Sequence, residues 1–162
     1  MRARSASSGG RGFARRAASN ASSKKSVVAN LEVQYARSSM VAMDEVQSLA
    51  RELPRSTEVL VHGRVKFRVG QIVFLAFSAD EAVMGFGFPK EWRDVLVAAE
   101  PDKFMLPGQS DLRFNWVHAR LAALDATEMR ELVVDAWRMV VPKRVAAAFD
   151  QSTADAASGG RA

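Results

Sequence analysis

Residues Arg64 to Phe77 read RVKFRVGQIVFLAF. Val65, Phe67 and Val69 alternate with Arg64, Lys66 and Arg68, the period of two expected of a strand with one buried face. Gly70-Gln71 supplies a Gly-X two-residue turn, for which the II′ type suits the right-handed twist of the flanking strands. This hairpin register places Val69 opposite Ile72, Phe67 opposite Phe74 and Val65 opposite Ala76, giving one uniformly apolar side that should face the core. The other side then carries Arg64, Lys66 and Arg68 beside Val73, Leu75 and Phe77, a basic row next to an apolar one.

The chain has 162 residues and no cysteine, so disulfides and thiolate chemistry are excluded. Its length allows one ordinary domain with tails, and residues 42–149 suffice to close a single core. No apolar run approaches the roughly 18 residues that span a bilayer. The expectation is a soluble, cytoplasmic protein with no membrane partner. The pI near 10 has a local origin: residues 1–41 hold eight bases against Glu32 alone (+7), while the remaining 15 bases and 17 acids leave the rest of the chain at −2. A nucleic-acid role for the folded part must therefore rest on local patches.

Residues 1–40 are rich in Arg, Ser, Ala and Gly and are expected to be disordered. Three accounts fit them: a solvated basic tail, an organellar transit peptide if the source is eukaryotic, or a later translation start at Met40 or Met43. Ala42 to Leu53 is the first helix, with Val46, Leu49, Ala50 and Leu53 in one stripe and Asp44 and Glu45 at the positive end of the macrodipole. Glu58 to Val61 reads as a strand, and His62-Gly63 turns into the hairpin. Ala82 to Phe88 is a fourth strand loosened by two glycines. A second helix follows Pro89, with Trp92, Val95, Leu96 and Ala99 as its apolar face.

Phe104 to Leu106 is a short strand and Arg113 to Leu121 a longer one, with Val117, Ala119 and Leu121 facing inward and Trp116, His118 and Arg120 outward. Asp125 caps the last long helix. Glu128 completes a capping-box pattern, Leu124 staples to Met129, and Met129, Leu132, Val133, Ala136, Trp137 and Val140 form the buried stripe. Pro142 opens a short terminal helix ending near Phe149, and residues 150–162 are expected to be a disordered tail.

Several segments, LARELP at Leu49 to Pro54, FRVGQIVFLAF in the hairpin, PKEWRDVLVAAEPDKF around the second helix and AWRMVVPKRVAAAF at the end, resemble the MmcQ/YjbR-like family of small bacterial proteins. The resemblance covers residues 42–149. It implies an α+β fold, a two-layer arrangement of a twisted antiparallel sheet with helices packed on one side, similar to secretion chaperones and to a double-wing arrangement related to DNA binding. The chain departs from the family pattern in its long basic N-terminal extension.

Enzyme signatures are mostly absent: there is no G-x-S-x-G elbow, P-loop, Rossmann glycine pattern between a strand and a helix, or H-E-x-x-H. Gly85-Phe86-Gly87-Phe88 reads as a strand bend, and no cofactor or metal is expected. Glu58, His62 and His118 could converge as an acid-base set, and a small-molecule-binding or enzymatic domain is the least favoured reading. The leading candidate site is the outer face of Arg64, Lys66, Arg68, Trp116, His118 and Arg120. There the cations neutralise phosphates and Trp116 stacks or wedges, as in a non-enzymatic DNA-binding or regulatory protein. The competing account of those charges is ordinary edge protection. The alternative class is a protein-interaction or homodimeric module using the Val73, Leu75 and Phe77 strip.

Overall fold

The structure is a computed structural model and describes residues 40–159. The expectations for residues 1–39 and 160–162 lie outside the described residues. From the N-terminal side the elements are α1 (Met43–Glu52), β1 (Ser56–Val61), β2 (Arg64–Val69), β3 (Ile72–Phe77), β4 (Val83–Gly87), α2 (Lys90–Ala99), β5 (Phe104–Met105), β6 (Trp116–Arg120), α3 (Ala126–Arg138) and α4 (Lys143–Gly159). Short 3-10 turns at Gln109–Asp111 and Leu121–Ala123 flank β6. The strands form one antiparallel sheet in the order β1-β2-β3-β4-β6-β5. The fold is α+β, as the sequence led us to expect.

Both hairpin turns follow their residue chemistry. His62 and Gly63 have φ of 51° and 73°, the two left-handed positions of a type I′ turn. At the next turn only Gly70 is left-handed (φ 60°), as a Gly-X II′ turn requires. Val69 pairs with Ile72 as expected, but the register shifts between Phe67 and Arg68. Arg68 pairs with Val73 and Phe67 with Leu75, so Phe74 is an inserted residue on β3.

This bulge reverses the faces of the rest of β3. Leu75 and Phe77, expected on the outer strip, join Phe67 in the core with exposures of 0% and 3%, and Phe74 is fully buried as well. Ile72 is left 57% exposed at the turn, and Ala76 moves to the outer face opposite Lys66. The cause is composition: Phe74, Leu75 and Phe77 are all large and apolar, and a bulge buries all three where strict alternation would bury one. The buried rows then run Phe67, Leu75, Phe86, Val117 and Phe77, Met84, Ala119, Phe104 across neighbouring strands.

The helices close this core. In α1 Val46, Leu49 and Ala50 are buried with Leu53 beyond its end, the expected stripe. In α3 Asp125 caps the helix by accepting from Glu128 N at 2.8 Å. The Glu128 carboxylate does not fold back on the cap. It accepts from Lys103 Nζ at 2.9 and 3.0 Å instead, tying α3 to the segment before β5. Trp137, fully buried, donates from Nε1 to Pro54 O at 2.9 Å and joins α3 to the turn after α1. α4 continues to Gly159, past the end expected near Phe149. Phe149 packs edge-on to Trp137 at 5.1 Å, and Asp150 accepts from Arg138, whereas residues 151–159 are exposed.

The expected apolar face of α2 is rotated. Trp92 and Val95 are 66% and 63% exposed and Ala99 is also exposed, while Arg93, Leu96 and Val97 turn toward the domain. Arg93 takes the inward place because three backbone carbonyls, two in the loop before β6 and one at its first residue, need donors. Its guanidinium reaches Leu112 O, Phe114 O and Trp116 O at 3.2 Å each.

The bulged register makes a direct prediction. Leu75→Ala should lower unfolding free energy by about 2–5 kcal/mol, while Ile72→Ala should change it by no more than about 0.5 kcal/mol. Chemical denaturation of both variants checks this. The unbulged register requires the opposite ranking.

Candidate nucleic-acid interface

The outer face of the sheet is crossed by one continuous row: Lys66 pairs with Ala76, Ala76 with Gly85, Gly85 with His118, and His118 with Met105. Large residues stand at its two ends and very small ones in its middle. The result is an open cleft of about 910 Å³ whose floor includes Ala76, Gly85 and Gly87. Arg64 and Lys66 line it on the β2 side with Gln71 and Val73. Trp116, His118, Phe114, Asn115 and Asp111 line the β6 side, and Met139 and Val140 close part of the rim.

Each wall is held by its own local structure. The I′ and II′ turns fix the ends of β2 and thereby the spacing of Arg64 and Lys66. On the other wall, Arg93 gathers the carbonyls at 112, 114 and 116, and Asn115 accepts from Phe88 N through its backbone and from Lys90 N through its side chain. Arg93 is 93% buried and its nearest carboxylate, Asp94, lies 3.9 Å away, so its positive charge is solvated chiefly by these peptide oxygens. A helix arginine gave no sequence signal of this task. The only hint was a charged residue between two apolar positions of α2.

Of the six residues expected at a nucleic-acid surface, four line the cleft: Arg64, Lys66, Trp116 and His118. Arg68 lies on the same face of β2, opposite Val73, with Nη1 3.5 Å from Gln71 Oε1. Arg120 is engaged elsewhere, donating from Nη1 to Pro101 O at 3.2 Å and Asp102 O at 2.9 Å, where it fastens the turn before β5. Of the expected partner strip Val73 and Phe77 border the cleft, but the bulge takes Leu75 and Phe77 into the core, with exposures of 0% and 3%.

His118 is half-buried, and desolvation pushes its pKa below the ordinary imidazole value against the opposing pull of Asp111. It is therefore neutral near pH 7 and adds surface and hydrogen-bonding capacity to the cleft rather than charge. The suggested acid-base set does not assemble. Glu58 on β1 binds Arg51 at 2.6 Å, His62 sits in the β1–β2 turn, and β2, β3 and β4 separate both from His118 on β6. That is roughly 19 Å at the usual strand spacing. Among the described residues no three His, Cys, Asp or Glu side chains are placed to hold a metal ion. No helix among them is long and apolar enough to cross a membrane.

A second, smaller concavity of about 380 Å³ lies over Phe88, Pro89, Trp92, Leu132 and Met139. It is the apolar surface that the rotation of α2 leaves outside.

Comparison with known proteins bears on the fold and the family. No curated protein matches the chain. Among solved structures, the crystal structure of the Deinococcus radiodurans protein DR2400, with a domain described as DUF419, is similar at a TM-score of 0.55 and 20% identity, over 62% of this chain and 78% of that one. At that identity the likeness is one of fold. The family model for YjbR matches residues 51–139, which run from the end of α1 to the end of α3 and include every strand of the sheet. The chain belongs to the YjbR family.

Proposed function

We propose that the protein is a non-enzymatic nucleic-acid-binding module that uses the outer face of its sheet. The observation that carries this reading is the cross-strand row that sets Lys66, with Arg64 beside it, across a floor of Ala76 and Gly85 from Trp116 and His118. Cations that neutralise phosphates and an aromatic side chain that meets a base are the two chemistries nucleic-acid recognition needs. Arg68 extends the phosphate track along β2.

The described residues carry 14 Lys and Arg against 17 Asp and Glu, so affinity must come from this local arrangement and not from overall charge. Asp111 opposes an anion on the β6 side, which leaves β2 as the place for phosphate. The YjbR-like resemblance to a double-wing arrangement points the same way.

The test compares variants within the full-length chain, so that the basic residues 1–41 contribute equally to each. In fluorescence polarisation with a DNA oligonucleotide, Lys66→Glu should weaken binding by about tenfold and reduce the slope of log K against log salt by about 0.7 for each single-strand phosphate that is no longer neutralised. Arg120→Glu should have little effect, because Arg120 is occupied with the 101–102 carbonyls. Unchanged affinity in Lys66→Glu and Arg64→Glu would overturn the reading. Because His118 is already neutral, affinity should also stay flat between about pH 7 and 8.5. A fall across that range would indicate a titrating group that this site does not contain.

A further inference from the structure

Gly85 is the residue on which the aromatic wall rests. A Cβ at this position would stand 2.7 Å from Trp116 Nε1, 3.0 Å from Trp116 Cε2 and 3.0 Å from His118 Cδ2. Side chains do not approach one another so closely, so only glycine lets the indole and the imidazole settle onto β4. The backbone φ of Gly85 is not left-handed, and a turn does not explain its presence. The close approach of Trp116 and His118 does. An indole seated this low on the strand presents its remaining surface to the cleft it lines, beside Phe114, which is 50% exposed.

Charge sorts the cleft into two ends. Arg64 and Lys66 mark the β2 side and Asp111 the β6 side, where the aromatic residues and the Asn115 amide also lie. Three strand gaps separate Lys66 from His118, roughly 14 Å between backbones, and the side chains reach inward from both walls. A ligand with an anionic end and a flat, hydrogen-bonding aromatic end fits this polarity in one direction. The volume is in the range of small-molecule sites, and it is too small to admit the width of a duplex. Paired bases also offer no free face to an aromatic platform.

We propose that the cleft captures one unpaired nucleobase of a single-stranded nucleic acid on the Gly85-seated Trp116, with the adjoining phosphate at Arg64 and Lys66. This rests on the nucleic-acid reading above and makes it specific. Gly85 is a positioning residue, and Trp116 is the group that touches the base.

The experiment measures binding of the full-length protein to three labelled oligomers of equal phosphate number: an oligothymidylate, an abasic strand of the same length, and a duplex. The wild-type chain should prefer the oligothymidylate over the abasic strand by about tenfold, the scale of one stacked base. Gly85→Ala and Trp116→Ala should each abolish that preference while leaving affinity for the abasic strand unchanged. Thermal melting verifies that both are folded. Trp116 is partly exposed and pairs through backbone, so Trp116→Ala keeps the test open should Gly85→Ala unfold.

Equal wild-type affinity for the oligothymidylate and the abasic strand would overturn the proposal, leaving phosphate binding alone. Duplex binding as tight as single-strand binding, or a preference that survives both substitutions, would overturn it too. Free thymidine monophosphate binding as tightly as the oligomer would replace the strand with a nucleotide as ligand. Oligomer affinities that all ignore Lys66→Glu would remove the nucleic-acid reading itself.

Discussion

The structure depends on how β3 packs against β2. Phe74, Leu75 and Phe77 all require burial, and a strand that alternated strictly could not provide it. The bulge opposite Phe67 resolves this by inserting Phe74, so that Leu75 and Phe77 extend the rows shared with Phe86, Val117, Met84 and Ala119. The same slip carries Ala76 to the outer face. Had the register stayed regular, Leu75 would have stood next to Lys66, and the middle of the outer face would have been filled. The core and the cleft are therefore two consequences of one register shift.

Small residues in the middle of a strand are costly in isolation, since glycine packs nothing and loses the most backbone freedom on folding. Ala76 and Gly85 sit side by side on the most central strands of the sheet, where large β-formers would stabilise it more. The presence of Gly85 is explained by what lies over it: Trp116 and His118 occupy the space that a side chain there would take. Around this seat the supporting hydrogen bonds are directed and specific. Arg93 collects the carbonyls of the 112–116 segment, and Asn115 holds Phe88 and Lys90. Arg120, although it shares a strand with Trp116, fastens the neighbouring turn instead. For the function proposed above, the distinction between cations that face the cleft and those engaged with carbonyls matters more than the net charge.

Most of the fold was legible from the residues. Periodicity located the six strands and four helices, the Gly-X and His-Gly turns identified themselves, and Asp125 announced α3. The inward and outward sets of β6 were also readable, because alternation there is unbroken. Three features were not. A bulge leaves no local mark in a run such as IVFLAF, where every residue is apolar and either phase looks acceptable. The face of α2 was misread because Trp92 and Val95 outrank Arg93 in hydrophobicity, whereas the deciding demand came from carbonyls of a loop about 20 residues later. The extension of α4 to Gly159 had little apolar pattern to reveal it, since alanine and short polar residues sustain the helix with no burial. For the candidate site, four of six residues could be placed by strand phase alone. The role of Gly85, read from sequence as a strand bend, needed the position of the Trp116 ring.

The most direct measurement is a nitrogen–proton NMR titration of the full-length protein with a short single-stranded oligonucleotide, following the indole resonances of its three tryptophans. The account predicts that the Trp116 indole and the amides of Ala76, Gly85 and His118 shift together with saturation. The indoles of Trp137, buried in the core, and Trp92, on the outer side of α2, should stay in place. Movement of the Trp92 indole without that of Trp116, or saturable binding that leaves the Ala76–Gly85–His118 row unperturbed, would contradict it.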